Sequence, residues 1–337
     1  MAMGEFDLIK RYFERSQNNA DDFVQLSIGD DCALVCIPPD CQLAITTDTM
    51  TENTHFLPDI SAEDLAYKAI ATNLSDLAAM GAQPKWISLA LTLPKINEEW
   101  LSAFSQSLIN TLRDYNVTLI GGDTTKGTRA ITITAQGFVE KGKALCRHQA
   151  KAGDLIYVSG TLGDSAAGLQ LILAGELKGK SALDIDREFL LHRHFRPTPR
   201  VALGRVLVGI ANAAIDLSDG LLSDLGHILK RSQCGAEIEL AALPLSSSIL
   251  RLFSRDQAER FALSGGEDYE LCFTVPVENK EKLELALKNL KLPCACIGRI
   301  VTAQTRGGFA LNFLRHGEAV QLTPMSGFDH FKDEHYE

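Results

Sequence analysis

In IDLSDGLLSDLGH, residues 215–227, three carboxylates, Asp216, Asp219 and Asp224, fall where an apolar strand gives way to an amphipathic helix. A helix N-terminus presents free N–H groups and positive partial charge, so acids there serve either as caps or as ligands for something more highly charged. Similar acids recur along the chain. GDDCALV sets Asp30 and Asp31 after Gly29, TTDTM sets Asp48 behind the hydroxyls of Thr46 and Thr47, and LIGGDTTKG sets Asp123 behind Gly121 and Gly122. Adjacent glycines let a main chain turn and approach a ligand closely. Asp76 raises a sharper question, because Asn73 and Asp76 share helical spacing with Ala66, Ala69 and Met80 on an otherwise apolar stripe. A carboxylate buried there needs a base or a metal ion, and Lys68 lies elsewhere on the helix. Hard oxygen donors at several loop or strand ends are the donor set of Mg²⁺.

Each acid also has an ordinary alternative. Asp48 suits a turn after a strand. Asp64 has capping-box spacing from Ser61, Asp164 in GTLGDSAAG reads as a helix cap, and Asp224, one turn into its helix, suits a supporting role. Glu267 and Asp268 in SGGEDYEL are compatible with merely shaping a turn, His55 with a surface residue, and Arg147 with a stem that covers a domain boundary.

The elements that must position these residues alternate. Hydrophobic periodicity predicts helices over 5–17, 61–80, 97–114, 164–174, 219–231 and 279–289. It predicts strands over 42–48, 85–93, 130–139, 155–159, 236–240, 270–275 and 309–314. This is a mixed α/β pattern. The polar stretch KGKALCRHQAKAGD, residues 141–154, divides it into two domains, taken as 1–150 and 151–337. LSD precedes a helical run in both NLSDLAAMGA and DLSDGLLSDLG, a faint internal echo.

Composition narrows the function. A chain of 337 residues, 45% hydrophobic, has enough apolar material for two cores. Its net charge of −10 argues against nucleic-acid partners, which demand clustered Lys and Arg. With no apolar export segment and no long apolar run, the expectation is a cytoplasmic protein without membrane contact. The eight cysteines read as reduced, buried small hydrophobes, and Cys294 and Cys296 lack partners at zinc-site spacing. Several Mg²⁺ ions point to a polyphosphate, whose oxygens they bridge during transfer. Yet GELKGKS, residues 175–181, has one residue too few between its glycines for a Walker A loop and follows a helical run, and no kinase-type glycine loop is present. ATP, if bound, is bound by another fold.

GEFDLI, GDDCALV, TTDTMTENTHF, NLSDLAAMGA, GGDTT, DLSDGL and SGGEDYEL occur in this order, from Gly4 nearly to the GFDHF around Phe328. The series resembles that of the thiamine-monophosphate kinases, within the superfamily of aminoimidazole ribonucleotide synthetase. The resemblance implies a two-domain aminoimidazole ribonucleotide synthetase-like α/β fold whose N-terminal sheets pair across a homodimer, with ATP and substrate between the domains. It implies transfer of the γ-phosphoryl of ATP to thiamine monophosphate, the last step of thiamine diphosphate biosynthesis. Carried over by position, Asp30, Thr46, Thr47, Asp48, Asp76, Asp123, Asp216 and Asp219 would hold Mg²⁺. Gly121, Gly122, Arg147 and Ser218 would contact ATP, and His55, Glu267 and Phe328 would face thiamine monophosphate.

The implied chemistry needs no strong base, because a phosphate acceptor with a second pKa near 6 is mostly a dianion at neutral pH. The obstacle is repulsion between anions, several kcal/mol at about 4 Å even at an effective dielectric near 20. The expectation is therefore direct in-line transfer, by positioning and electrostatic stabilisation, without a phospho-enzyme. Rivals within the superfamily fit less well: a selenophosphate synthetase would carry a reactive Cys or selenocysteine near its start, and a hydrogenase-maturation carbamoyl-transfer protein would end in a reactive Cys, where this chain ends HYE. An aminoimidazole ribonucleotide synthetase proper is separable by substrate competition, and a metal-stabilised binding module without turnover is excluded by ADP release that depends on thiamine monophosphate.

Overall fold

The computed structural model describes residues 5–14, 22–175, 184–303 and 310–322. The chain forms two compact units, Met1–Ala144 and Leu145–Glu337.

The first unit contains α1 (Glu5–Tyr12), β1 (Val24–Leu26), β2 (Leu34–Val35), β3 (Cys41–Thr51), α2 (Ala62–Ala79), β4 (Gln83–Leu93), α3 (Glu98–Asp114), β5 (Thr118–Lys126) and β6 (Ala130–Glu140). Its main sheet runs β3-β6-β4-β5, with β4 and β5 parallel and the other pairs antiparallel. Ser61 caps α2, its hydroxyl accepting the Asp64 N–H at 3.0 Å, and Asn97 caps α3 through the Trp100 N–H at 3.1 Å. The centre of α2 is buried nearly all round, which makes it the core helix against the sheet.

The second unit contains β7 (Leu155–Ser159), α4 (Asp164–Leu173), α5 (Asp184–Phe195), α6 (Val201–Leu207), β8 (Ala213–Asp216), α7 (Leu221–Ser232), β9 (Cys234–Glu239), α8 (Ser247–Leu252), α9 (Arg255–Ser264), β10 (Leu271–Val275), α10 (Lys280–Leu290), β11 (Cys294–Thr302), β12 (Leu311–Arg315) and β13 (Glu318–Val320). They build a sheet of order β13-β12-β9-β11-β7-β10-β8, antiparallel except where β12 runs parallel to β9. Val158, Ile215, Leu225, Ile238 and Ile297 belong to one core cluster that joins this sheet to α7.

Two strands run further than their sequence signals suggest. β3 continues through Asp48 to Thr51, because TTDTMT is rich in β-branched residues and pairs residue for residue with β6 as far as Ala130. Asp48 is therefore interior to a strand and not at its end. Likewise Gly121, Gly122 and Asp123 lie within β5, not in a loop after it.

Candidate functional site

In the first unit, β3 and α2 assemble one group of the expected residues. Side chains alternate across a strand. Asp48 is registered with Ile133 of β6, which is registered with Leu89 of β4, both buried. Thr46 and Asp48 thus share the face that α2 covers. There the Thr46 hydroxyl hydrogen-bonds to the Asp76 carboxylate, while Asn73 accepts the Asp48 N–H at 3.2 Å and donates to Ala69 O at 3.0 Å. The two polar residues on the apolar stripe of α2 are thus hydrogen-bonded to β3 and to their own helix. A base or a metal is not the sole way to satisfy them.

Thr47 and Asp123 lie on the opposite face. Thr49, Thr132, Ala90 and Asp123 form one cross-strand row, and Thr47 pairs with Thr134 at 2.9 Å between hydroxyls. Asp30 follows β1, exposed, its carboxylate accepting the Asp31 N–H at 2.9 Å. Ser27 ties that segment to β5 by donating to Ile120 O at 3.3 Å. His55 sits in the turn after β3, where its Nδ1 accepts the Thr51 N–H at 3.1 Å. A neutral ring then carries its proton on Nε2. Gly122 has a structural reason of its own: a Cβ there would meet Leu89 O of β4 at 1.9 Å, whereas Gly121 has open space at the same position.

The second unit assembles the other group. Beyond β8 and β10 the chain continues as a backbone ladder: Tyr269 N–H to Leu217 O at 2.9 Å, Leu217 N–H to Glu270 O at 2.8 Å, and Glu267 N–H to Ser218 O at 2.8 Å. Ser218 and Glu267 are thereby direct neighbours, and buried Asp216 ends β8 beside them. Asp219 donates its N–H to the Asp224 carboxylate at 3.0 Å. Asp224 is buried; burial first and the Asp219 charge second push its pKa up to about 7. Arg147 is exposed, its carbonyl held by the Ser232 hydroxyl at 2.8 Å, and its positive charge reaches both Asp224 and His227. His227 is held below its ordinary pKa, by desolvation first and by Arg147 second. Phe328 lies outside the described residues, as does most of GELKGKS.

The oxygen-only donor set of aspartates and threonines fits a hard cation of the Mg²⁺ type. Among the described residues, no three His, Cys, Asp or Glu side chains converge as a ready-made metal cage. The donors occur as smaller sets: Thr46 with Asp76 on the α2 face of the sheet, and Asp216 with Asp219 flanking Ser218.

Models of the AIR synthase related protein match this chain twice, the N-terminal domain over residues 29–139 and the C-terminal domain over 151–309. The thiamine-monophosphate kinase of Haemophilus influenzae is 71% identical over 99% of both chains. The crystal structure of the thiamine-monophosphate kinase from Stenotrophomonas maltophilia superposes with a TM-score of 0.84 at 44% identity, covering 95% of this chain and 99% of that one. The AaThiL structure complexed with AMPPCP and TMP superposes with a TM-score of 0.74 at 32% identity, covering 98% and 97%. The chain belongs to the thiamine-monophosphate kinase family of AIR synthase-related proteins.

Several features of this family member were not legible from residue types. Asp164 is not the cap of α4: Gly163 occupies that position, and the Asp164 carboxylate instead accepts the hydroxyls of Thr161 and Ser246, each at 2.5 Å. The helix start is satisfied from far away in sequence by Asp268, which takes the N–H groups of Gly163 and Ser165 at 2.6 and 3.2 Å. Asp268 does more than shape a turn. Glu270, three residues beyond Glu267, is fully buried and bound by Ser159, Arg193 and Arg200. Its partners lie at least seventy positions away, so spacing carried no signal. The cysteines match the reduced state expected, with none in a disulfide, but differ in burial: only Cys234 and Cys272 are buried, while Cys32 and Cys36 are exposed in loops and Cys296 is exposed within β11. The LSD echo has no structural counterpart, since Asp76 lies inside α2 whereas Asp219 precedes α7.

Proposed function

We propose that this protein phosphorylates thiamine monophosphate at the expense of ATP, giving thiamine diphosphate and ADP. The observation that carries the reading is the 71% identity to a thiamine-monophosphate kinase across 99% of the chain. The AaThiL complex, with an ATP analogue and TMP, supports the same pair of ligands.

In this reading the acids act as holders of charge. Asp30, Thr46, Thr47, Asp48, Asp76, Asp123, Asp216 and Asp219 are the proposed Mg²⁺ ligands, with Thr47 set apart from Thr46 by the strand's alternation. Bound Mg²⁺ would supply neutralisation of the phosphate charges as they approach. Gly121, Gly122, Arg147 and Ser218 are assigned to ATP; the Arg147 guanidinium suits an anionic phosphate. His55, with a proton on Nε2, and the Glu267 carboxylate are assigned to the acceptor, together with Phe328. Glu267 would face a substrate whose thiazolium ring is cationic. The acceptor phosphate is itself the nucleophile, and transfer is direct and in line. The N-terminal sheets are proposed to pair across a homodimer through β3, an edge strand with Ile45 61% exposed. The protein is assigned to the cytoplasm; no described helix is long and apolar enough to cross a membrane.

The test is incubation with ATP, Mg²⁺ and thiamine monophosphate followed by chromatographic separation, with EDTA and no-acceptor controls. Thiamine diphosphate is expected in step with ADP, and its loss in EDTA. ADP release independent of thiamine monophosphate would reject the assignment. A phosphorylated residue forming and decaying at the turnover rate would reject direct transfer.

A further inference from the structure

Glu267 sits in a segment whose shape is imposed by its surroundings. Glu267 and Tyr269 both hold left-handed backbone, with φ of +66° and +49°, a conformation that side chains other than glycine adopt only when their neighbours enforce it. The enforcement comes from α4 and α5. Asp268, buried, is fixed to the Gly163 and Ser165 N–H groups. The Ser165 hydroxyl lies 3.1 Å from His194 Nδ1, and that nitrogen lies 3.5 Å from Glu267 Oε2. A closed ring of contacts therefore begins and ends in one dipeptide, Glu267–Asp268. The residue before His194 holds the other end of the segment, Arg193 Nη2 donating to Glu270 Oε1 at 2.8 Å.

We propose that His194, on the last turn of α5, is a positioning residue that fixes the Glu267 carboxylate for the cationic acceptor. The inference rests on the assignment of Glu267 to thiamine monophosphate. His194 acts through Glu267: its side chain is 7% exposed against 26% for Glu267, so Glu267 is the more accessible of the pair to a ligand. The backbone of the segment is already anchored by Asp268 and Glu270, so the imidazole contact bears on where one side chain points. Partners that orient metal-ligating side chains control affinity by about 10–100-fold, and an effect at the lower end of that range is expected for a carboxylate oriented toward a cationic substrate.

The experiment compares steady-state kinetics and thermal midpoints of the wild type, His194→Leu, His194→Asn, His194→Gln, Glu267→Gln and the double variant His194→Leu/Glu267→Gln. His194→Leu is expected to raise KM for thiamine monophosphate about tenfold while moving KM for ATP little. His194→Asn, whose amide occupies the position of Nδ1, is expected to recover most of the affinity; His194→Gln, which reaches toward Nε2 instead, is not. The double variant should be no weaker for acceptor than Glu267→Gln alone, since the two residues act as one unit. Equal effects on both substrates, or multiplicative effects in the double variant, would overturn the proposal. If Glu267→Gln weakens acceptor binding and His194→Leu does not, positioning by His194 fails alone. If Glu267→Gln leaves KM for thiamine monophosphate unchanged, the assignment of Glu267 fails and this inference falls with it. Should His194→Leu not fold, the contrast between Asn and Gln decides.

Discussion

Glu270 shows what residue identity reveals and what it hides. SGGEDYEL points to Glu267 through its place in the motif series that resembles the thiamine-monophosphate kinases, and to Asp268 only as a turn former. Glu270 reads from sequence as one polar position entering an apolar strand, yet it receives hydrogen bonds from Ser159 at 2.5 Å, Arg193 at 2.8 Å and Arg200 at 2.5 Å. Removing one member of a buried ion pair leaves the rest uncompensated, which costs about 3–5 kcal/mol. Glu270→Ala is therefore expected to destabilise the second unit by that amount in denaturant unfolding; a change below 1 kcal/mol would mean that the arginines find water or other acids instead. Asp76 was the opposite case. Its place on an apolar stripe was legible, but the Thr46 hydroxyl that meets it comes from a strand thirty residues away. The proposed metal ligands stand or fall by substitution: Asp216→Asn is expected to lower turnover at least about 10–100-fold and to raise the Mg²⁺ concentration needed for half activity. Unchanged metal dependence at equal folding stability would remove Asp216 from the ligand set.

At the scale of elements, most helices and strands were readable because period and caps agree, as in α2 with Ser61 and α3 with Asn97. Some of the missed ones have weak signals of their own, although α9 carries a capping box between Ser254 and Gln257. α8 is only six residues long, and its partner in α5 had no sequence marker. The Arg251 guanidinium holds the Asp186 carboxylate with contacts of 2.8 and 2.5 Å, and the Ser248 hydroxyl adds a third at 2.8 Å. Arg251 first, then Ser248, depress the Asp186 pKa to about 2. A depressed carboxylate contributes stability that is fully present above its unfolded pKa near 3.9 and disappears as pH falls through the folded value. The stability gap between wild type and Asp186→Asn should thus be constant from pH 7 to about 5 and narrow as the solution is acidified toward 2. A gap that widens on acidification would contradict the linkage between α5 and α8. Strand pairing makes a second demand. Since a Cβ on Gly122 would stand 1.9 Å from Leu89 O, Gly122→Ala must part β4 from β5 locally. A loss of stability of about 1–3 kcal/mol is expected, as for overpacked cores, whereas Gly121→Ala, with open space around it, should fold like the wild type. Equal thermal midpoints for the two variants would refute the steric reading.

For the whole molecule, the two-part α/β character followed from alternating patterns, but association depends on a surface that no single motif encodes. β3 is the outer strand of its sheet and pairs only with β6 among the described residues. It is eleven residues long and exposes Ile45 at 61%. Long edges bearing apolar groups pair with other chains unless charge, proline or a bulge protects them. From Cys41 to Thr51 the strand has no proline or lysine, its one charged residue, Asp48, faces α2, and its register with β6 is unbroken. Nothing in its composition prevents a second copy from adding to that edge. Sedimentation at micromolar concentration is therefore expected to give twice the 36.8 kDa chain mass. Ile45→Lys, which places a charge on the exposed side of β3 without touching the α2 face, should shift the protein toward monomer while leaving its secondary structure intact. A wild type that sediments as a monomer throughout the micromolar range would exclude pairing through β3. A charged variant that remains dimeric would move the interface to another surface.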